Sequence, residues 1–238
     1  MKRRDAKKYE KEFSYGKGLI PTPSDWIAHF WDVHNEQIKK IIDAPLKAAN
    51  SILFVGVGSG GVMTHLDFRG KTVIGIDLNV KYLLQAPEYC KKVEADSSSI
   101  PFKDGSFDMV ICDKILHHVV VQGSLEETIA ECSRVLKDGG RMFAVEPNLF
   151  HPSGLAMTLM NKFHLYHKIA GGSDYERALS PFKLTRMCRS YFKKIRVNAV
   201  TFGHPRSPLS FQKLIFRADK YLKRMYLLSF SFAVEAVK

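Results

Sequence analysis

Two adjacent histidines, His117 and His118, lie in the segment KILHHV, just after a predicted strand that ends before Asp113. An imidazole titrates near neutral pH and can take a proton from a hydroxyl while the oxygen forms a new bond. Neighbouring helical positions point about 100° apart, so we expect only one of the two to face a substrate. His117 is the first choice, because one helical turn would place it on the same face as Asp113. The alternative is that both histidines pack internally or end a helix.

Two further residues are second candidates for moving a proton. Glu146 ends a later predicted strand, and His151 follows it in a turn-rich segment. The chain shows no triple-histidine set and no carboxylate cluster at the spacing of a metal site. The sequence therefore predicts no metal.

The segment GVGSGG follows the apolar run SILFV and contains Gly56, Gly58 and Gly60. Glycines after a strand allow the backbone to approach an anion or a cofactor. Asp77 ends the next predicted strand, 21 residues after Gly56, where a carboxylate can hold two ribose hydroxyls. These features fit a dinucleotide reductase and an adenosine-type cofactor equally well, and the glycines alone could make only a tight turn.

Four segments separate these possibilities, and they follow one another across residues 51–147: ILFVGVGSGG, IGIDLN, EADSSSIPFKDGSFDMVICDKILHHV and RVLKDGGRMFAVEP. In this order they resemble the class I S-adenosylmethionine (SAM) dependent methyltransferases, particularly the family of ubiquinone-type and small-molecule methyltransferases. No Tyr-x-x-x-Lys pair occurs in the chain, so the usual catalytic signature of short-chain reductases is missing.

The resemblance implies SAM as the cofactor and S-adenosyl-L-homocysteine as its product. Gly56, Gly58 and Gly60 would let the backbone approach the methionine portion of SAM, since no Cβ blocks the way. Asp77 would bind the ribose, and Leu78 would pack against the adenine. The alternative for Asp77 is a cap at the end of its strand.

The resemblance extends to Asp96, which would accept a hydrogen bond from the adenine amino group with backbone support from Ser97. Asp113 and Lys114 would line the methionyl end and the opening for methyl transfer. The alternatives are a strand-end cap at Asp96 and a surface carboxylate at Asp113. One position departs from the family, which usually has an acid where this chain has Phe54. Either another acid compensates, with Asp113 a candidate, or SAM binds weakly, or the site has decayed.

The N-terminal stretch YEKEFSYGKGLIPTPSDW is expected to fold over the cofactor. It is loosely similar to the opening of phosphobase-type methyltransferases, in which a lid tyrosine can pair with the histidine after the fourth strand. That similarity makes Tyr15, or alternatively Tyr9, a candidate partner of the histidines.

The elements that must position these residues alternate between apolar runs and helical patterns. Unbroken runs such as SILFV and FDMVIC are typical of strands covered on both faces. We predict an α/β fold, a Rossmann-like, doubly wound and mostly parallel seven-stranded sheet with an antiparallel last strand. Strands are predicted at 51–55, 72–76, 91–94, 107–112, 140–146, 195–202 and 227–237. Helices are predicted at 25–48, 60–66, 79–86, 124–136, 182–192 and 211–225.

This alternation divides the chain into four parts. Residues 1–50 form a helical cap over the cofactor, and residues 51–147 form the SAM-binding core. Residues 148–181 interrupt the rhythm beyond the end of a strand, where ligands of parallel sheets bind, and form a lid or substrate wall. Residues 182–238 complete the same α/β domain with basic helices. A purely structural packing helix is the alternative for the insertion.

Composition indicates a cytoplasmic protein with an ordinary core. The chain has 238 residues, of which 45% are apolar and 25% charged. No apolar run is long enough to span a bilayer, and the basic N-terminal residues lead into no apolar stretch of the secretory type. The four cysteines are far apart in sequence, which suits inert thiols in a reducing compartment.

Positive charge is concentrated near the C-terminus. Twelve of the 36 Lys and Arg residues lie between residues 182 and 224, against the single acid Asp219, and this accounts for most of the net charge of +12. Within 211–226, apolar residues share one helical face, which we expect to pack on the sheet beneath a solvated cationic face. The basic face makes contact with an anionic membrane surface or a phosphate-bearing substrate possible. Nucleic acid is not predicted as a partner, because no RNA-binding module accompanies the charge.

Together these features predict a SAM-dependent methyltransferase that acts on an oxygen of a small-molecule or lipid-like acceptor. The apolar and aromatic composition of the insertion favours an acceptor with apolar surface. The alternatives are an RNA or protein methyltransferase that uses the basic C-terminal segment, and a non-catalytic binding module that kept the fold.

Overall fold

The computed structural model describes residues 24–170 and 176–238, and its centre is one seven-stranded sheet. The strands follow the order β3-β2-β1-β4-β5-β7-β6. Their bounds are β1 (Ser51–Val55), β2 (Thr72–Asp77), β3 (Lys91–Glu94), β4 (Phe107–Asp113), β5 (Leu136–Pro147), β6 (Lys194–Thr201) and β7 (Ser231–Val237). The neighbouring strands from β3 to β5 pair in parallel, and β7 pairs antiparallel with both β5 and β6. The predicted fold, including the antiparallel last strand, is confirmed.

Helices cover both faces of this sheet. Their bounds are α1 (Ser24–Ala48), α2 (Val80–Leu83), α3 (Leu116–Gln122), α4 (Leu125–Val135), α5 (Pro152–Lys162), α6 (Tyr166–Ala170), α7 (Pro181–Cys188) and α8 (Leu209–Leu222). The apolar strand residues alternate between two buried clusters, one on each face. Burial on both faces explains why the strands are continuous apolar runs.

Several predicted bounds are corrected by local structure. A short 3₁₀ helix, Gly61–His65, replaces the predicted α-helix after the glycines, and α2 covers only Val80–Leu83 of the helix predicted at 79–86. A second 3₁₀ helix, Tyr226–Leu228, occupies the predicted beginning of the last strand.

The orientation of α8 differs from the expected packing. Phe211 is 50% exposed and Leu214 is 61% exposed, whereas Gln212 and Asp219 are buried. The two polar side chains find partners inside, since Gln212 donates to the Ser207 carbonyl oxygen and Asp219 accepts from Thr201. The inward side of the helix therefore carries Gln212 and Asp219 together with Phe216, whose ring lies 6.2 Å from that of Phe30. The expectation that Phe211 and Leu214 pack inside is wrong. Contact of this helix with an anionic membrane stays a prediction.

Two further findings concern membrane-spanning helices and the cysteines. Within residues 24–170 and 176–238, no helix combines the length and apolar character needed to cross a bilayer. All four cysteines, Cys90, Cys112, Cys132 and Cys188, are buried free thiols.

Candidate active site

A cavity of about 730 Å³ opens at the carboxyl ends of the parallel strands, where open α/β sheets bind their ligands. Its wall is built from the loops after β1, β2, β3 and β4, together with α1 and the insertion after β5. The lining includes Trp31 and His34, residues 56–62, 76–79, 113–115 and 117–119, and from the insertion Met157, Met160, Tyr166 and Glu176. The insertion therefore lies at the cavity, as its position in the sequence predicts.

The loop after β1 bends through three glycines with positive φ, at Gly56, Gly58 and Gly60. A Cβ at Gly56 would meet the Ile115 side chain at 2.3 Å, and one at Gly60 would meet Pro87 at 2.8 Å. A Cβ at Gly58 would meet no atom within 4 Å, and Gly58 lines the cavity. Gly56 and Gly60 thus serve the packing of the loop, whereas Gly58 leaves space for a ligand.

Asp77 ties this loop to the end of β2. Its Oδ2 accepts a hydrogen bond of 2.8 Å from the Gly58 N–H, and its Oδ1 accepts one of 2.8 Å from the Asn79 N–H. Burial raises the pKa of Asp77, while these backbone donors lower it. Asp77 and Leu78 both line the cavity, so the carboxylate has room for further donors such as a pair of hydroxyls.

The loop after β3 contributes fewer residues to the cavity wall than the sequence predicts. Ser97 lines the cavity beside Ala95, and its hydroxyl lies 3.0 Å from the Thr128 hydroxyl. Asp96 is not a lining residue, and its Oδ1 accepts from both the N–H and the hydroxyl of Ser98. The geometry gives Asp96 a turn-forming role, and its contact with adenine stays a prediction.

Asp113 and Lys114 lie where the chain leaves β4, and both line the cavity. The Lys114 ammonium bonds Asp113 Oδ2 and lies 5.4 Å from the centre of the Trp31 ring. Asp113 Oδ1 is buried, and no atom of residues 24–170 or 176–238 forms a hydrogen bond with it. Lys114 has φ +55°, a conformation that is uncommon for a residue other than glycine and that is enriched at functional sites.

Phe54, at the position where the resembled family carries an acid, does not line the cavity. Its ring is 2% exposed and packs edge-on against Phe68, with 5.7 Å between ring centres. An acid at this position would be buried in an apolar cluster. Asp113, which lines the cavity and has one oxygen without a partner among the described residues, is the candidate to replace the missing acid.

His117 is held by a buried carboxylate. Its Nδ1 lies 2.8 Å from Glu146 Oε2, and Glu146 also accepts from the backbone N–H groups of Ile115, Leu116 and His117. Burial lowers the pKa of His117, with a further contribution from Lys114, so the imidazole is neutral at pH 7. Burial raises the pKa of Glu146, and the three backbone donors oppose that shift. Since Nδ1 faces Glu146, Nε2 is the nitrogen available to the cavity that His117 lines.

The structure corrects two expectations about the paired histidines. Asp113 ends β4 and α3 begins at Leu116, so Asp113 and His117 do not share a helix. Both His117 and His118 line the cavity, with 4.2 Å between their ring centres, rather than one alone. The helix starts late because Glu146 accepts from its first N–H groups and fixes its N-terminus.

His118 meets a residue that the sequence did not suggest. Its Nε2 lies 3.9 Å from Glu176 Oε1, and Glu176 follows α6 in the insertion. The ligating atoms of His117, His118 and Glu176 all lie within 4.8 Å of one another. Glu176 is distant in sequence from the two histidines, so a search for ligands at short spacing does not find this group. The prediction of no metal depends on such short spacings alone.

His151, the other second candidate besides Glu146, lies away from the histidine pair. His151 caps α5 by accepting from the Ser153 N–H, stacks beside His204 and does not line the cavity. The geometry gives it a structural role, and burial lowers its pKa. Tyr15, like Tyr9, lies outside the described residues.

Comparison with known proteins identifies the family. A family model described as a methyltransferase domain matches residues 53–144. The ubiquinone biosynthesis O-methyltransferase of Dechloromonas aromatica is 31% identical over 185 residues, which cover 68% of this chain and 77% of the relative. The chain belongs to the class I SAM-dependent methyltransferases. Membership of this enzyme family confirms the predictions of an enzyme and of SAM as its cofactor.

Solved structures show the same fold for this methyltransferase. A SAM-dependent methyltransferase from Thermotoga maritima superposes with a TM-score of 0.65 at 16% identity, covering 89% of this chain and 94% of that one. The Haemonchus contortus phosphoethanolamine N-methyltransferase 2, in complex with SAM, has a TM-score of 0.59 at 18% identity, covering 87% and 52%. The described cavity fits SAM in two respects, the open space at Gly58 and the unpartnered Asp113 Oδ1.

Proposed function

We propose that this methyltransferase transfers a methyl group to an oxygen of a small-molecule or lipid-like acceptor, with His117 receiving the acceptor proton. The proposal rests on one observation, the contact between His117 Nδ1 and the buried Glu146 carboxylate beside the cavity. The names of the curated relatives, which are O-methyltransferases, favour oxygen over nitrogen. The four buried free thiols agree with the expected cytoplasmic location.

The cofactor would be held by the loops after β1, β2 and β4. Gly58 leaves the backbone open beside the methionine portion, with Gly56 and Gly60 shaping the bend. Asp77 would hold the ribose, and Asp113 Oδ1 would accept from the ammonium group in place of the acid that Phe54 replaces. The remaining contacts that we propose are Leu78 and Ser97 at the adenine, Asp96 at its amino group and Lys114 at the methionyl end.

Bound SAM supplies a methyl group that its positive sulfur already activates. The residues of the chain then have two tasks, to align the acceptor oxygen and to remove its proton as the new bond forms. We assign the ring proton of His117 to Nδ1, because Nδ1–H can donate a hydrogen bond to the Glu146 carboxylate. Glu146 then acts as a positioning residue that leaves the Nε2 lone pair toward the cavity. The acceptor O–H proton passes to that lone pair.

The other walls of the cavity support an acceptor with apolar surface. Trp31 on α1, Met157 and Met160 on α5, Ile169 on α6 and Phe230 before β7 line the same cavity as the histidines. Apolar walls with a few polar groups are typical of small-molecule sites. The insertion thus provides much of the surface against which an acceptor would lie.

Substitution of the histidine and its carboxylate tests this function. His117→Ala is expected to lower kcat at least about tenfold while SAM affinity stays nearly unchanged, the loss expected of a general base. Glu146→Gln is expected to lower kcat similarly, since a side-chain amide would donate to Nδ1 and put a proton on Nε2. The double variant should be little worse than either single one, because both changes remove the same proton acceptor. Radiolabelled SAM with a panel of hydroxylated aromatic acceptors measures turnover.

His151→Ala is the matched control, because it removes a candidate histidine that does not line the cavity and should leave turnover close to wild type. Equal losses of SAM affinity and turnover in His117→Ala would assign His117 a structural role. Additive losses in the double variant would show that Glu146 does not act through His117.

A further inference from the structure

His117, His118 and Glu176 place three metal-ligating side chains on one part of the cavity wall. One ligating atom of each lies within 4.8 Å of the other two. The side chains are 7%, 12% and 3% exposed, respectively, so the group is largely shielded from bulk water yet lines an open cavity. The histidines come from α3 and the carboxylate from the insertion, and the backbone joins the two segments where the Arg177 N–H donates to the His117 carbonyl oxygen.

The chemistry of these side chains matches one class of cation. Two imidazoles and one carboxylate, with a further position open to water or substrate, are the ligands of many zinc sites that act in catalysis. Nitrogen ligands favour Zn²⁺ or Co²⁺ over Mg²⁺ and Ca²⁺, which prefer oxygen.

The surroundings of His117 also suit a metal ligand. Histidines that bind metals usually donate their second ring N–H to a carboxylate, and Glu146 stands 2.8 Å from Nδ1. Glu146 and Glu176 together can balance the charge of a divalent cation. Both are buried, so this balance matters more than it would at the surface.

We propose that His117, His118 and Glu176 form a binding site for a divalent transition metal of the zinc type. The cavity supplies the remaining coordination position. The consequence for activity rests on the proposed function: the cation and the acceptor proton would compete for His117 Nε2, so bound metal would inhibit methyl transfer.

Calorimetric titration of the metal-free, full-length protein with ZnCl₂ tests the site, with Co²⁺ absorption reporting its ligands. We expect one saturable site in the wild type. Glu176→Gln keeps the size of the side chain but removes its charge, and should weaken Zn²⁺ binding at least about tenfold. Glu127→Gln is the matched control, because Glu127 is exposed on α4 and away from the cavity. S-adenosyl-L-homocysteine binding by Glu176→Gln verifies that this variant is folded.

Two results would overturn the metal site: no saturable binding at micromolar Zn²⁺, or equal Zn²⁺ affinity in the wild type and Glu176→Gln. Activity separates this inference from the proposed function. Inhibition that follows Zn²⁺ occupancy supports both. An enzyme that loses activity with EDTA and regains it with Zn²⁺ supports the metal site and overturns His117 as the proton acceptor.

Discussion

Replacing Gly58 by alanine tests whether the loop after β1 approaches the cofactor. Gly58 has φ +51°, and a Cβ at this position meets no protein atom within 4 Å. The backbone cost for alanine is about 1 kcal/mol, the cost of a left-handed conformation for a residue with a Cβ. The new methyl group would occupy cavity space that we assign to SAM. Overfilling a packed contact costs about 1–3 kcal/mol, so SAM affinity should fall about ten- to hundredfold.

Gly70→Ala provides the matched control for the backbone cost. Gly70 has φ +74°, a Cβ there also meets nothing within 4 Å, and the residue does not line the cavity. Both variants should lose about 1 kcal/mol of unfolding free energy, a fall in Tm of about 2–4 °C for a chain of this size. Only Gly58→Ala should lose affinity for the cofactor.

Calorimetry with S-adenosyl-L-homocysteine measures binding, and thermal unfolding followed by circular dichroism measures stability. Wild-type affinity in Gly58→Ala would refute the approach of the cofactor to this loop. Equal affinity losses in the two glycine variants would instead show that binding responds to global stability, and the assignment of Gly58 would again fail.

Two other predictions concern carboxylates. Asp113→Asn should weaken SAM binding about ten- to hundredfold, because a charge-assisted hydrogen bond contributes about 1.5–3 kcal/mol; unchanged affinity by calorimetry would show that Asp113 does not compensate for Phe54. Burial raises the pKa of Asp219 to about 6, so its folded form binds a proton more tightly than its unfolded form. Its contribution to stability is full below about pH 4 and is lost as pH rises through about 6. The unfolding free energy of the wild type relative to Asp219→Asn should therefore fall over this range in urea titrations, and parallel pH profiles would contradict the shift.

The sequence predicts the sheet well because strands that are buried on both faces are continuous apolar runs. The run SILFV becomes β1 with the predicted bounds, and the strand predicted at 107–112 extends by one residue to Asp113. The glycine loop and Asp77 follow from the same pattern, since ligands of such sheets bind at the carboxyl ends of strands. The sequence of a single segment is enough to predict the position of a residue when only its own strand or loop determines that position.

The parts of the site that the sequence misses depend on contacts between distant elements. Glu176 lies near His118 because the insertion contributes to the cavity wall. No pattern in the sequence near either residue predicts this contact. The prediction of how α8 packs is wrong for a related reason. Helical periodicity divides its residues between two faces but does not say that Gln212 and Asp219 will find buried partners. In both cases the deciding hydrogen bonds or ion pairs join residues from different elements.

Glu146 shows how sheet register builds the proposed base. Parallel pairing sets Asp113 opposite Val145, and the Lys114 N–H donates to the Val145 carbonyl oxygen at 2.9 Å. Glu146, one residue further along β5, thereby lies at the N-terminus of α3 and accepts from three of its backbone N–H groups and from His117 Nδ1. A shift of one residue in this pairing would turn the Glu146 side chain to the opposite face of the sheet. The helix cap and the orientation of His117 would then be lost together, so the register of β4 and β5 couples the fold to the chemistry.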